Sequence, residues 1–461
     1  MRKIAIIHPE NPSKTVRRAV AFLSEFLLDF TVEYPACFSE NDTIPENTLH
    51  IYLGTKVNNK KVRELSTALL NKAEQYSLCV KEEYIIIEGF DDAGTLYGVM
   101  DFYNHYLIKQ KYYKGFSFDS SATFPEFSRI SAPDTVERGI WTWGHVIYDY
   151  RHFLENMAKL KMNSIIIWND FVPFNIDEII DYAHELCIKV ILGYPWGWDQ
   201  RCREMSLSRL DNLSEEVFKK FEKEYSHLDI DGIYFQTITE LEEESIEGVL
   251  VAEAVANFVN RTSALFYDKY PELLIEFGLH ATSVKNRLEY IARTDKRVRI
   301  VWEDLGSMPF AYGGAAVENF DETLDLALKT ATLRGEDDYF GIVPKAMTCL
   351  DWSAFQHPIG AQNYGVSSKA MKENRIIRKR KNWRNSLAVW MINGEYALKM
   401  FKALIDTKGG NLSINVLIED GMFEEQIMYQ AALFSEMLWD SGADYNELVR
   451  DVVIREYVEF V

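Results

Sequence analysis

Six carboxylates stand just beyond apolar, strand-like runs of the sequence: Asp170, Asp199, Glu240, Glu303, Asp304 and Asp351. Carboxylates held in pairs can cleave an acetal. One, protonated, gives its proton to the leaving oxygen, and the other activates water or attacks the carbon. Glu240 ends the stretch Gly232-Ile-Tyr-Phe-Gln-Thr-Ile-Thr-Glu240, past a buried strand, and is the candidate acid. It also opens the acidic segment 240–244, where Glu242, Glu243 and Glu244 fit a plainer role, since a helix start favours negative charge. Glu303 and Asp304 end a later run, and one of them is the candidate base. Side chains alternate along a strand, so neighbours cannot both face one ligand without a bend. The acid must keep its proton near neutral pH, which requires burial or a neighbouring carboxylate.

Tryptophans gather at the same places. Seven of the ten, Trp141, Trp143, Trp168, Trp196, Trp198, Trp302 and Trp352, lie at or just after strand-like runs. Any one of them could be plain core. As a set they suit a ligand with apolar C–H faces, because indole offers a broad apolar surface with a polar handle. Asn169 and His280, at two more of these ends, are candidate partners for hydroxyl groups. Together these residues describe a sugar site. Metal binding is not expected: His145, His280 and His357 form no H-x-x-x-H or H-E-x-x-H pattern. Gly306 and Gly313-Gly314 lack the lysine of a phosphate-binding loop, so no cofactor is expected either.

Such residues need a frame that brings strand ends together. The runs Arg138–Trp143, Asn163–Asn169, Lys189–Tyr194, Gly232–Thr237, Leu273–Leu279, Val298–Glu303, Phe340–Met347 and Leu412–Ile418 are nearly continuous in Ile, Val, Leu and Tyr. Strands buried on both faces read that way. Eight of them alternate with amphipathic segments over about 285 residues, the pattern and size of a (β/α)8 TIM barrel, whose chemistry lies at the C-terminal strand ends. Pro344 interrupts the seventh run, and a crossover of about 60 residues precedes the eighth, long for one connection. We expect a barrel over 136–440, preceded by a small α+β domain over 1–125 and followed by a last helix over 441–461. In the first domain, strands are expected at 3–7, 48–53, 77–81 and 84–88, with helices at 14–29 and 96–108. Residues 117–134 read as a Ser/Thr/Pro-containing connector, and 423–439 as the helix that closes the barrel.

Composition narrows the partners. With 50 Lys and Arg against 70 Asp and Glu, the formal charge is −20, which argues against nucleic acid and anionic membranes. The basic run Arg378-Lys-Arg-Lys381 reads as a solvated helix face or a partner to nearby carboxylates. No apolar window is long enough for a membrane span, and the N-terminal MRKIAII is too short for a signal peptide. Five scattered cysteines without a C-x-x-C pair suit reduced thiols, so a cytoplasmic location is expected.

The segment Tyr84-Ile-Ile-Ile-Glu-Gly-Phe-Asp-Asp-Ala-Gly94-Thr-Leu-Tyr97-Gly98 resembles the end of the small domain before the barrel in two enzyme groups. These are the α-glucuronidases of glycoside hydrolase family 67 and, more distantly, the β-hexosaminidases of family 20. Glu137-Arg138-Gly139-Ile-Trp-Thr-Trp143, Tyr150-Arg151 and Lys159-Leu-Lys-Met-Asn163-Ser-Ile-Ile-Ile-Trp-Asn169 resemble the first two barrel strands of α-glucuronidases. Asn415–Gly421 and Gln430–Asp440 are similar to their last strand and closing helix. The resemblance implies that Glu240 is the general acid. It also shows departures: Thr239 stands where substrate-assisted hexosaminidases carry an Asp, so N-acetyl-assisted hydrolysis is not implied. The base region is matched only by the carboxylates at Glu303 and Asp304, and uronate specificity is not carried over. The expectation is a glycoside hydrolase acting on a carbohydrate. The alternatives are a non-catalytic carbohydrate-binding protein on a hydrolase-like scaffold and, third, a metal-dependent barrel enzyme.

Overall fold

The computed structural model describes the chain except residues 1–2, 29, 31–33, 115–123, 144–146, 170, 198–205, 242, 281–283, 306–318, 346, 348–359, 366–367, 419–422 and 461. For Lys114, Trp143, Glu240, Asp304, Leu305 and 456–460 it describes the backbone alone. Eight parallel strands close into a barrel, adjacent in chain order: Glu137–Trp143, Ser164–Trp168, Lys189–Gly193, Gly232–Gln236, Leu274–Leu279, Val298–Leu305, Phe340–Pro344 and Leu412–Leu417. All eight expected runs are barrel strands. Pro344 ends the seventh instead of breaking it, a position where its missing N–H matters little. The fold is a (β/α)8 TIM barrel preceded by an α+β sheet unit.

Three elements differ from expectation. Phe127–Ser131, inside the supposed connector, is a strand that pairs antiparallel with Tyr76–Val80. It completes a six-stranded sheet with Ala36–Ser39, Lys3–His8, Thr48–Gly54 and Tyr84–Gly89. The helix expected from residue 96 begins at Asp92, because the Asp91 carboxylate caps it by accepting from the Gly94 N–H at 2.7 Å. The closing helix is Tyr429–Trp439, shorter than expected. The residues before it run across the first strand's end instead, where Glu424 accepts from the Tyr148 N–H at 2.9 Å.

Trp439 pins the sheet to the barrel. Its ring stacks on Tyr76 and meets Tyr97 edge-on, both at 5.7 Å, and its N–H donates to Ser131 Oγ at 2.8 Å. Arg138 lies over that ring at 4.9 Å and reaches Glu74 of the sheet unit at 2.7 Å. Beside it, buried Lys161 lies 3.4 Å from Asp101 and 3.6 Å from Glu436. Burial opposes the charge on both carboxylates. The basic groups around them (Lys161 and His105 for both, Arg129 for Asp101, Arg455 for Glu436) overcome that and hold them ionised.

Inside the barrel, alternation sends every second residue to the lumen. Trp141, Ile166, Trp168, Ile191, Tyr234, Val301, Val343 and Leu417 form that inner cluster. Below them the lumen turns polar: Glu137, Ser164, Lys189, Glu276, Arg299, Tyr339, Ser413 and Asn415 share the inward phase, and glycines occupy 139, 232 and 341. Glu137 pairs with Lys189 and Arg299, each at 3.1 Å, and stays ionised against its burial. Glu276 is different. Its carboxyl has no hydrogen-bonding partner among the described residues, and Arg299 stays 3.9 Å away. Burial, reinforced by the charge of Glu137, pushes its pKa up to about 8.

The folded chain therefore holds a proton on Glu276 that an unfolded glutamic acid releases near pH 4.5. Stability from this group falls as pH rises from the unfolded value to the folded one, then levels off. Glu276→Gln removes that slope. Urea unfolding at about pH 6 and about pH 9 should show the variant gaining on the parent at the higher pH, by about 3 kcal/mol. Parallel pH profiles for the two proteins would show that Glu276 ionises normally.

Candidate active site

The upper lumen is organised around one carboxylate. Glu303, near the end of the sixth strand, is fully buried. Gln236 Nε2 donates to both its oxygens, at 2.7 and 2.6 Å, and the Tyr234 hydroxyl donates to Oε1. Oε2 also accepts from His280 Nε2 at 2.9 Å and from Lys345 Nζ at 3.3 Å. Burial alone would push the Glu303 pKa up. The neighbouring His280 and Lys345 and the donated hydrogen bonds outweigh it and hold the group well below the usual carboxylate range. Burial and the adjacent Glu303 charge keep the Tyr234 hydroxyl protonated, as a donor must be.

Four strands contribute to this arrangement. Tyr234 and Gln236 share the inward phase of the fourth, His280 follows the fifth, Glu303 lies on the sixth and Lys345 follows the seventh. A side chain at Gly278, on the fifth strand, would strike both Tyr234 Oη and Glu303 Oε1, so the contact requires glycine there. The sequence reading missed Tyr234, Gln236 and Lys345. For the first two the signal was present: counting by twos from Gly232 carries both into the lumen.

The tryptophans separate by phase. Trp141 and Trp168 face the lumen, each edge-on to Tyr234 at 6.3 and 6.1 Å, and are buried in the inner cluster. Trp196 and Trp302, expected at the ligand, pack away from the lumen. Trp196 stacks on Phe235 at 3.8 Å and on Phe266 at 5.3 Å, in the layer between strands and helices. Trp302 lies between the inward residues Val301 and Glu303, so alternation turns it outward into the main core. Trp143 ends the first strand with only its backbone described. Trp198, Trp352, Asp170, Asp199, Asp351, His145 and His357 lie outside the described residues.

Asn169 ties loops together. Its amide donates to the Phe171 carbonyl and the Tyr364 hydroxyl, and Asn175 holds the Tyr364 N–H at 2.9 Å. Glu240 ends a short 3-10 turn, Ile238–Glu240, after the fourth strand, next to buried Thr239. Asp304 lies in a bulge: Trp302 pairs with Ile342 and Leu305 with Pro344, so Glu303 and Asp304 together oppose the single Val343. Such an irregularity re-aims side chains that strict alternation would send to opposite faces. Among the described residues, no group of three or more His, Cys, Asp or Glu could hold a metal ion. None of their helices is long and apolar enough to cross a membrane.

No family model and no curated protein matches the chain. Solved structures do resemble it. A β-N-acetylhexosaminidase from Bacteroides fragilis superposes with a TM-score of 0.57 at 15% identity, over 99% of this chain and 91% of that one. A family GH115 4-O-methyl-α-glucuronidase with specificity for decorated arabinogalactans gives 0.57 at 14%, over 95% of this chain. A GH138 enzyme targeting pectin rhamnogalacturonan II gives 0.55 at 13%, over 96% of this chain. The chain spans 57% and 65% of the length of the last two. At such identity the likeness is one of fold. It extends over glycoside hydrolases of several kinds and does not single out families 67 and 20.

Gly278→Ala tests the central contact. The added methyl should force Tyr234 and Glu303 apart, costing about 1–3 kcal/mol in urea unfolding. A cost under about 0.5 kcal/mol, the range of a neutral surface change, would show that the lumen is looser than described.

Proposed function

We propose that this protein hydrolyses glycosidic bonds at the mouth of its barrel. The observation that carries the reading is the buried, ionised Glu303, which holds Lys345 and His280 at the C-terminal strand ends above the packed lumen residues Trp141 and Trp168. Charged groups fixed before substrate arrives are what transition-state stabilisation requires. The fold shared with glycoside hydrolases supports the same chemistry.

In this reading Glu240 protonates the leaving oxygen. Glu303 is a poor attacking group, because both oxygens are engaged by donors and burial separates it from water. It acts as a positioning residue that fixes Lys345 and His280 toward sugar hydroxyls. The second carboxylate is then Asp304, its neighbour in the bulge. No cofactor enters the scheme. The saturation of Glu303 also favours a second reading, a carbohydrate-binding protein without turnover.

A panel of aryl glycosides and uronides, with the product's anomeric form followed by NMR, separates the two. Glu240→Gln should lower kcat about 10²–10⁴-fold with unfolding unchanged, the range of lost acid catalysis. Asp304→Asn should match it, whereas Glu303→Gln should mainly raise KM and lower stability. Full activity in Glu240→Gln would remove that residue from the mechanism. Sugar binding with no turnover of any substrate would establish the second reading.

A further inference from the structure

The 40-residue helix Lys369–Lys408 changes character along its length. Its later part is packed, with Trp390 and Phe401 each edge-on to Phe434 of the closing helix. Ser386 accepts from Gln430 Nε2 at 3.4 Å, level with the start of that closing helix. Residues 369–385 contain no buried side chain and extend about 25 Å past that level at 1.5 Å per residue. Their contacts place them at the mouth. Lys372 is 3.3 Å from Asp149 and 3.6 Å from Glu425, and Arg375 lies 3.6 Å over Tyr148. Those partners follow the C-terminal ends of the first and eighth strands.

This segment runs against the charge of the whole. Residues 369–384 hold eight Lys or Arg and one Glu, while the other residues share the remaining 42 basic and 69 acidic of the chain's 50 and 70. Arg378, Arg380, Lys381 and Arg384 are exposed, and none forms an ion pair among the described residues. Arg378 with Lys381, Lys381 with Arg384 and Arg380 with Arg384 are like-charge neighbours at helical spacing, a weakly destabilising arrangement. A solvated face that only needed solubility would draw on the surplus carboxylates. Around these four side chains none is within ion-pair distance among the described residues.

We propose that residues 369–385 form a basic arm that binds an anionic polysaccharide beside the barrel mouth. The proposal rests on the glycosidase reading, since it names the class of substrate that reaches that site. A second copy of this chain is a poorer occupant, because two arms laid together would set like charges face to face. A nucleic acid duplex is poorer too, since a stiff polyanion leaving the arm meets the strongly acidic remainder of the molecule. A single glycan chain can touch the arm and the mouth alone.

Affinity electrophoresis of the full chain in gels containing polygalacturonate, with dextran as the neutral control, tests this without any turnover. The parent should be retarded by polygalacturonate only, and salt at about 0.5 M should abolish the effect. The variant R378A/R380A/K381A/R384A should bind at least tenfold more weakly, with unchanged unfolding and unchanged turnover of any uncharged aryl glycoside the parent cleaves. The proposal falls if the parent is not retarded, if the variant is retarded equally, or if single-stranded DNA of similar charge binds more tightly. It falls as well if light scattering shows a dimer that the substitutions dissolve while polysaccharide binding persists. Loss of hydrolysis on every substrate would defeat the glycosidase reading and leave this binding result standing.

Discussion

The structure turns on a carboxylate that has been taken out of water and kept charged. Burying an ionised Glu303 is strongly unfavourable unless its oxygens are satisfied, and the barrel satisfies them from the fourth, fifth and seventh strands together. That requirement fixes neighbouring residues in turn. Tyr234 must keep its proton, Gly278 must lack a side chain, and Lys345 must reach back over the end of its strand. The cost of leaving any one of these groups unpaired in a dry lumen holds them in this arrangement before a ligand arrives.

The same physics gives opposite results lower in the barrel. Glu276 shares burial with Glu303 but not its donors, so it keeps its proton instead of its charge. Two glutamates on adjacent strands of one lumen thus differ by what faces them. Glycines at 139, 232 and 341 leave the lower layers without the branched side chains that fill such barrels, and polar groups occupy the space. Outside the barrel, Arg138 and Lys161 are also buried cations with carboxylate partners, and they fasten the sheet unit to the barrel around Trp439. Charge is placed inside this molecule wherever two surfaces must hold a fixed relation.

The barrel was legible because a strand buried on both faces leaves a continuous apolar run, and the sequence carries eight of them. The site was legible only to the level of strand ends. Glu303 and His280 were reached because they stand at those ends, but their mutual contact depends on which residues face inward, which needs the phase of each strand. Trp196 and Trp302 show the limit. Both fall at strand ends in the sequence, yet one stacks in the helix layer and the other is turned outward by its neighbours' phase. Phe127–Ser131 was hidden for another reason: its exposed Ser128 and Ile130 give it no apolar run, and its strand character comes from pairing with Tyr76–Val80.

A molecule with 20 surplus negative charges repels anions at a distance, so any anionic ligand must be met locally. Lys345 cannot do this alone, because Glu303 already neutralises it at 3.3 Å. Among the described residues, Arg378, Arg380, Lys381 and Arg384 keep unpaired positive charge on the helix Lys369–Lys408, outside the lumen and beside its mouth. The interior uses paired charge to set geometry, where solvent cannot screen it. The unpaired charge stands in solvent, where it can act over about 8 Å at physiological salt and no further. Orientation and attraction are therefore assigned to different places, and each is where its range allows it to work.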